Sequence, residues 1–228
     1  MSEQTGTERR AFETFERIGV VRSDGHYVYT SGLHGEHYVA KDDLVVDVLS
    51  AMDLLRSLGY LCRSYDIDVV VGPEKGAVNL AYGFAFWFAE NRQHTNPSPV
   101  ACVPAAKLKG IGGAEDSFIF ERGYKKHVCG RKVFIIEDVL TTGGSVKKVV
   151  RLVNESGGTV VGVGALWNRS GVTEQNITPE GCPFVPRLTT LVNHDFLQWE
   201  ASKCPLCAEG RPINTDLGHG AKFLAQKG

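Results

Sequence analysis

The sequence predicts an α/β protein with a doubly wound parallel sheet, helices on both faces and smaller segments at the two ends of the chain. Short, almost wholly apolar runs such as Ile67–Gly72 and Val133–Ile136 are typical of strands that are buried on both faces. Helical patterns separate these runs at the spacing of strand–helix–strand units. A glycine-containing turn follows each run, as is typical of ligand-binding turns at the carboxyl ends of strands in such sheets.

The composition favours a folded protein that is not a general nucleic-acid or membrane binder. The 228 residues are 43% hydrophobic and 22% charged, which allows a sizeable core, and the net charge is −1. No apolar run reaches transmembrane length, and Met1–Arg10 lacks a signal-peptide core, so we expect a cytoplasmic protein. In the cytoplasm, we expect the six cysteines to be free thiols or metal ligands rather than members of disulfide bonds.

The N-terminal part combines a helix with short strands. Apolar residues at helical spacing predict an amphipathic helix over Thr7–Gly19, and another over Asp47–Gly59 that ends at a glycine. The Gly-, Ser- and His-rich stretch Ser23–Lys41 predicts short strands around a turn. We therefore expect three regions: a helix and strands in residues 1–45, an α/β core in residues 46–195 and an irregular extension in residues 196–228.

The helix predicted for Ala77–Glu90 is apolar on almost every side, so it needs partners on two faces. The sheet supplies one partner, and a second subunit is the natural candidate for the other, so we expect a homodimer. The remaining core elements are predicted in this order: a strand over Pro99–Pro104, a loop over Lys107–Asp116, a strand over Ser117–Arg122, a basic loop over Gly123–Lys132, a helix over Ser145–Glu155 and a strand over Thr159–Leu166.

A phosphate site is predicted where the strand Val133–Ile136 ends. Glu137 and Asp138 follow it, and the turn that ends in Thr141–Ser145 leads into a helix. Such a turn can point N–H groups into one hollow at the positive end of the helix dipole, and its glycines let a ligand approach closely. Two acids beside a phosphate site would normally repel an anion. Their presence is explained if they accept hydrogen bonds from sugar hydroxyls or lie near a magnesium ion. The alternative is an ordinary strand–turn–helix with a threonine N-cap.

This segment resembles the signature by which type I phosphoribosyltransferases bind PRPP (5-phosphoribosyl 1-pyrophosphate). The resemblance runs from about Ala11 to Asp195 and implies that fold and the transfer of 5-phosphoribosyl from PRPP, with Mg²⁺, to a nucleobase. It implies catalytic roles for Glu137 and Asp138, which we expect to lie at the site and not in the core. It implies that PRPP contacts Lys75, Glu74, Gly76, Glu137, Asp138, Val139, Leu140, Thr141, Thr142, Gly143, Gly144 and Ser145.

Pro73–Gly76 forms a second strand-to-helix turn and carries one ammonium group, on Lys75. Taken alone, it could be a turn with a surface lysine. Beside the first motif, it resembles the pyrophosphate loop of the same family, in which the loop backbone and its lysine hold the diphosphate. Two anion sites on adjacent strands fit a ligand that carries phosphate at both ends.

A basic segment precedes the signature strand: Arg122, Lys125, Lys126, His127, Arg131 and Lys132. It resembles the mobile catalytic loop of orotate phosphoribosyltransferases, which closes over the diphosphate and usually comes from the neighbouring subunit. Cations there would stabilise the charge that develops on the leaving group. Gly123 and Val128 depart from the family pattern, and a solvated charge run is the alternative. The resemblance implies catalytic roles for Arg122, Lys125, Lys126 and His127.

Two segments bear on the base. Thr30–Tyr38 resembles the N-terminal hood of orotate phosphoribosyltransferases, although Thr30 stands where the family usually has a lysine. Arg169 matches a family arginine that faces the acidic pyrimidine, and an arginine can pair bidentately with a carboxylate or imide edge. A surface role for Arg169 is the alternative. The resemblance implies that the base is bound by Ser31, Gly32, Tyr38, Thr142 and Arg169.

The C-terminal extension contains Cys204-Pro-Leu-Cys207, and one C-x-x-C is half of a zinc site. Cys182, His194 or His219 could complete it, and the alternative is a pair of free thiols on a surface extension. As for the whole chain, an orotate phosphoribosyltransferase is the favoured interpretation. A purine-type phosphoribosyltransferase and a non-catalytic PRPP-sensing regulator of the same fold are the alternatives.

Overall fold

The computed structural model describes residues 3–91, 99–111 and 115–226, so positions 112–114 of the predicted loop over Lys107–Asp116 lie outside the described residues. The chain divides into two compact units. Unit 1 comprises Met1–Ala11 and Asp47–His194, and unit 2 comprises Phe12–Val46 and Asp195–Gly228. Segments from both ends of the chain therefore come together in unit 2.

The strands of the described residues are β1 (Val21–Arg22), β2 (Tyr27–Val28), β3 (His34–Gly35), β4 (Tyr38–Val39), β5 (Val69–Pro73), β6 (Ala101–Leu108), β7 (Ser117–Ile119), β8 (Lys132–Leu140), β9 (Thr159–Asn168), β10 (Arg187–Asn193) and β11 (Gln198–Trp199). The helices are α1 (Glu3–Arg17), α2 (Val48–Leu61), α3 (Val78–Asn91), α4 (Lys125–Val128), α5 (Gly144–Glu155), α6 (Glu174–Ile177), α7 (Pro205–Ala208) and α8 (Gly220–Ala225). None of these helices combines the length and the apolar character needed to cross a lipid bilayer.

Unit 1 is built on a six-stranded sheet in the order β10-β9-β8-β5-β6-β7, in which every neighbouring pair is parallel except β6 with β7. Val133 and Ile135 of β8 share a buried cluster with Val146 of α5. Phe134 points to the opposite face and stacks on Phe84 of α3, with 5.3 Å between the ring centroids. The predicted parallel sheet with helices on both faces is therefore confirmed, and it explains why the run is apolar at every position.

Several strands differ from their prediction: β6 runs to Leu108 instead of Pro104, and β7 ends at Ile119 instead of Arg122. β8 continues four residues beyond the predicted Val133–Ile136, and Glu137 pairs with Ala165 of β9. The carboxylates in this stretch suggested a loop, but the hydrogen-bond ladder continues through them. β10 was not predicted, because it lies at the edge of the sheet and only Leu191 and Val192 are buried, which leaves a weak apolar pattern.

Unit 2 contains two small antiparallel sheets. β1 pairs with β4, and β3 lies between β2 and β11. The short strands predicted for Ser23–Lys41 are therefore present. Residues 196–228 contribute β11, α7 and α8, which are separated by irregular segments. The three-stranded sheet of this unit is thus completed by β11, a strand from the opposite end of the chain.

Candidate active site

Two strand-to-helix turns lie at the same edge of the six-stranded sheet. β5 and β8 are adjacent and parallel, with Val71 opposite Ile135. β5 leads through Glu74–Ala77 into α3, and β8 leads through residues 141–143 into α5. Because the carboxyl ends of parallel strands meet at one edge of a sheet, the two predicted anion-binding turns come together there.

The turn after β8 encloses an open hollow of about 50 Å³, which exceeds the roughly 10–15 Å³ that one water molecule requires. Gly143 adopts φ 75°, a conformation that glycine favours, directly before α5. The N–H of Gly144 donates to Oγ1 of Thr142 over 3.3 Å. The amino end of α5 therefore directs its positive dipole end toward the hollow, where an anion is stabilised. The lining residues are Glu137, Val139, Leu140, Thr141, Thr142, Gly143, Gly144, Ser145 and Val146.

Both carboxylates at the end of β8 are buried, with exposed fractions of 8% for Glu137 and 3% for Asp138. Oε1 of Glu137 accepts the backbone N–H of Asp138 over 3.0 Å, and Oδ1 of Asp138 accepts the N–H of Val139 over 2.6 Å. Both side chains are shielded from solvent, and Glu137 lines the hollow, so the role of these acids at the site stays a prediction. Their substitution is therefore best done with the amides of equal size, because alanine would also remove buried contacts.

The turn after β5 is anchored to the neighbouring strand β6. The N–H of Glu74 donates to the carbonyl oxygen of Ala105 over 2.9 Å, and the N–H of Lys107 donates to Oε2 of Glu74 over 3.3 Å. The peptide bond between Glu74 and Lys75 is cis. The side chain of Lys75 is exposed at this edge of the sheet, so its ammonium group is accessible to an anionic ligand.

From Lys125 to Lys132 the basic segment lies near the opposite edge of the sheet, whereas Arg122 follows β7, whose Ile119 is opposite Ala106 near the carboxyl end of β6. The segment precedes the amino end of β8, whereas the two turns follow carboxyl ends, and a nine-residue strand separates these edges by roughly 25–30 Å. Lys125–Val128 forms one helical turn, not the predicted open loop, and the buried side chain of Val128 anchors it. Lys125, Lys126 and His127 are exposed. In their own subunit Lys125, Lys126 and His127 do not reach the two turns, so a role for these three residues in catalysis requires a second subunit.

Lys107 is a cation at the carboxyl edge that sequence reasoning did not select. It lies near the end of β6, and its backbone N–H contacts the turn after β5 through Glu74. Its Nζ forms an ion pair with Oδ2 of Asp116 over 2.8 Å. The hydrogen bond from Lys107 lowers the pKa of Asp116, with the N–H of Gly110 as the next contribution. The sequence did contain a signal for Lys107, because it follows an apolar strand whose carboxyl end lies at this edge of the sheet. That position indicates a site residue better than closeness in sequence to the signature strand does.

The residues predicted to bind the base fall in both units. In unit 1, Arg169 directly follows β9, and its N–H donates to the carbonyl oxygen of Leu140 over 2.9 Å, which places it beside the turn after β8. In unit 2, Ser31 and Gly32 are exposed in the turn between β2 and β3. Tyr38 stacks obliquely on Tyr27, with 5.4 Å between the ring centroids.

Comparison with known structures supports the fold. The orotate phosphoribosyltransferase of Mycobacterium tuberculosis has a TM-score of 0.58 and 24% identity, over 81% of this chain and 95% of that one. The adenine phosphoribosyltransferase of Thermoanaerobacter pseudethanolicus has a TM-score of 0.56 and 16% identity, over 78% of this chain and 99% of that one. Enzymes that are named for different bases thus share this fold, and the fold alone does not select the base.

Sequence comparison is more specific. Residues 53–179 match the family model of the phosphoribosyl transferase domain. The orotate phosphoribosyltransferase of Caldanaerobacter subterraneus is 31% identical over 212 residues, which cover 90% of this chain and 95% of the relative. That of Caldicellulosiruptor saccharolyticus is 34% identical over 190 residues, which cover 83% and 86%. With the family's two turns side by side at one edge of a doubly wound sheet, the chain belongs to the phosphoribosyltransferase family.

Proposed function

We propose that the protein transfers 5-phosphoribosyl from PRPP to orotate, which gives orotidine 5'-phosphate and pyrophosphate. The observation that carries this proposal is the pair of anion-binding turns on the adjacent strands β5 and β8, with two buried carboxylates at the end of β8. The choice of orotate is supported by the relatives that are at least 30% identical over most of both chains, which are named orotate phosphoribosyltransferases. Arg169 beside the turn after β8 suits an acidic pyrimidine.

Each part of the site has a role in this proposal. The hollow at the start of α5 holds the 5-phosphate through backbone N–H groups and hydroxyls. Glu137 and Asp138 accept hydrogen bonds from the ribose hydroxyls. The turn at Glu74–Gly76, with the exposed Lys75, holds the diphosphate. Mg²⁺ prefers oxygen ligands, and the phosphates of PRPP with these two carboxylates offer such a set, so it would neutralise charge on the bound diphosphate.

The chemistry is a substitution at C1 of the ribose. The bond from C1 to the pyrophosphate oxygen breaks, and its electron pair leaves with pyrophosphate. A ring nitrogen of the base forms the new bond to C1 and loses its proton, which the released pyrophosphate or solvent accepts. Negative charge grows on the leaving group during this step, so cations that contact it there stabilise the transition state more than the ground state. In this proposal Lys75, which is exposed at the carboxyl edge of the sheet, supplies one such cation.

The substrate assignment predicts which base releases pyrophosphate. Incubation with PRPP, Mg²⁺ and a panel of orotate, uracil, adenine, guanine and hypoxanthine should release pyrophosphate with orotate alone. Pyrophosphate release with a purine and not with orotate would assign the protein to the purine-type enzymes. Tight binding of PRPP without turnover of any base would instead support a PRPP-sensing regulator.

We also propose a homodimer whose interface includes α3. This helix buries Leu80, Phe84 and Phe88 in unit 1, yet it leaves Tyr82 69% exposed and Phe86 53% exposed one turn apart. Two neighbouring exposed aromatic side chains are typical of the apolar centre of an interface. A dimer would also provide the second subunit that the basic segment needs in order to act at a site.

The dimer predicts a change of mass in solution. Replacing Tyr82 and Phe86 with aspartate should convert the protein to a monomer at micromolar concentration in sedimentation velocity, because buried charges oppose association. Phe184→Asp is the control, since Phe184 is 64% exposed and lies outside α3. A wild-type protein that sediments as a fully active monomer would contradict the proposal.

A further inference from the structure

Four potential metal ligands converge inside unit 2. One ligand atom from each of His26, His34, Cys204 and Cys207 lies within 4.8 Å of every other. His26, His34 and Cys204 are buried, with exposed fractions of 2%, 0% and 2%, and Cys207 is half-buried. None of the four is among the residues of the candidate active site.

The backbone of unit 2 explains the convergence of the two histidines. β2 and β3 are antiparallel, with Val28 opposite His34. His26 lies two residues before Val28 and therefore shares its side of the sheet. It is the diagonal neighbour of His34, a position from which side chains across two strands can meet. The sheet thus brings two imidazole rings together without help from any ligand.

The two cysteines reach the same place through the third strand. Trp199 of β11 is opposite His34, and the chain continues for one short turn before α7. Cys204 immediately precedes α7 and Cys207 lies within it, so the C-x-x-C is folded over one helical turn. This spacing allows both sulfur atoms to face a single point, as in zinc sites with two cysteines.

The distances fit four-coordinate binding. Sγ of Cys204 and Sγ of Cys207 each lie 3.7 Å from Nε2 of His26, and Sγ of Cys207 lies 3.4 Å from Nδ1 of His34. A tetrahedral zinc ion with ordinary bond lengths has nitrogen–sulfur edges of about 3.6 Å. The two ring nitrogens are 2.8 Å apart, so they must separate by about 0.5 Å to reach the nitrogen–nitrogen edge of such a site.

A backbone carbonyl selects which ring nitrogen of His26 carries the proton. Nδ1 of His26 lies 2.8 Å from the carbonyl oxygen of Arg211. A carbonyl only accepts hydrogen bonds, so Nδ1 carries the proton and the lone pair of neutral His26 is on Nε2, the atom that faces the cluster. Metal-binding histidines are oriented by a contact of this kind through their second ring nitrogen. Arg211 is itself held by an ion pair with Glu36 over 2.8 Å.

We propose that His26, His34, Cys204 and Cys207 bind one Zn²⁺ ion, which joins the N-terminal strands of unit 2 to its C-terminal extension. Two sulfur and two nitrogen ligands at tetrahedral spacing favour zinc over Mg²⁺ or Ca²⁺, which require oxygen. The two thiols lose their protons on binding, and the imidazoles bind as neutral rings. Two thiolates then balance the charge of the ion, so the buried site carries no net charge.

This site corrects the ligands expected from the sequence. Cys182, His194 and His219 are not members of the cluster. Sγ of Cys182 contacts the side chain of Asn154 over 3.1 Å, and Nε2 of His219 lies 3.1 Å from Oγ1 of Thr30. The alternative of thiols on a surface extension does not hold for Cys204, because its side chain is buried.

The test measures metal content directly. Protein made without a polyhistidine tag and kept reduced should contain one zinc atom per chain by elemental analysis. The double variant Cys204→Ser/Cys207→Ser should contain none, whereas Cys182→Ser should retain the full amount. X-ray absorption at the zinc edge should show two sulfur neighbours at about 2.3 Å and two nitrogen neighbours at about 2.0 Å.

Cobalt substitution keeps the test decisive if the double variant does not fold. Wild-type protein refolded with Co²⁺ should show a thiolate-to-cobalt charge-transfer band and the intense visible bands of a tetrahedral ion. Wild-type protein that takes up no zinc under reducing conditions would overturn the proposal and leave only a hydrogen-bonded cluster. A Cys204–Cys207 disulfide in the reduced preparation, or zinc lost from Cys182→Ser, would also overturn it.

Discussion

Replacing Asp138 with asparagine is expected to lower kcat by about 10²-fold or more, the range for loss of one charged group that acts at the reacting centre. The amide has the same size, and its oxygen can still accept the N–H of Val139, which Oδ1 now accepts over 2.6 Å. The fold should therefore survive while the negative charge proposed to act near the ribose and Mg²⁺ is lost. Steady-state kinetics and the thermal midpoint Tm separate these two effects.

The neighbouring acid gives a second version of this experiment. Glu137→Gln should also lower kcat, because Glu137 lines the hollow after β8. Asp66→Asn is the control, since Asp66 is an exposed acid in an ion pair with Lys132 at the amino edge of the sheet. A double variant Glu137→Gln/Asp138→Asn with unchanged turnover would show that the carboxylates are not part of the active site.

The basic segment is the second place where a large effect is expected. Changing Lys125, Lys126 or His127 to alanine should lower kcat by about 10²–10³-fold for the most important of them, with little change in affinity for the base. The reason is that cations on the leaving group matter most while its bond breaks. Lys222→Ala, an exposed lysine in α8, is the control.

The position of this segment makes a sharper test available. Lys125, Lys126 and His127 lie near the edge of the sheet opposite the two turns, so a catalytic role for them requires the site of a partner subunit. Mixing a Lys126→Ala subunit with an Asp138→Asn subunit should restore activity, because one of the two sites in a mixed dimer then has every part intact. Failure to restore it despite proven subunit exchange would show that the segment is a solvated charge run. A large effect of Lys107→Ala alone would then move the leaving-group role to Lys107.

The sheet and its two turns could be predicted because each depends on a short stretch of chain. A strand buried on both faces must be apolar at every position, and Val133–Ile136 shows this directly. A turn that cradles an anion needs glycine and hydroxyl residues at a helix start, as at Thr141–Ser145. These requirements are local, so they can be recognised in the amino-acid sequence of each segment.

Other features depend on which segments meet in space. The basic segment directly precedes the signature strand β8 in the sequence. Because β8 is nine residues long, the residues before its amino end lie far from the turn after its carboxyl end. His26 and Cys204 are separated by 178 residues, so no spacing rule joins them. Only the pairing of β2 with β3, and of β3 with β11, brings the histidines and the cysteines together.

The three-stranded sheet of unit 2 has a consequence for the order of folding during synthesis. Its first two strands leave the ribosome early, but β11 follows only after the whole six-stranded sheet has been made. Until then β3 has one neighbour and an open edge of backbone N–H and carbonyl groups, a template on which other chains can pair. A chain cut at His194 would keep every strand of the larger sheet and retain that open edge permanently, so truncated products of this protein are expected to aggregate.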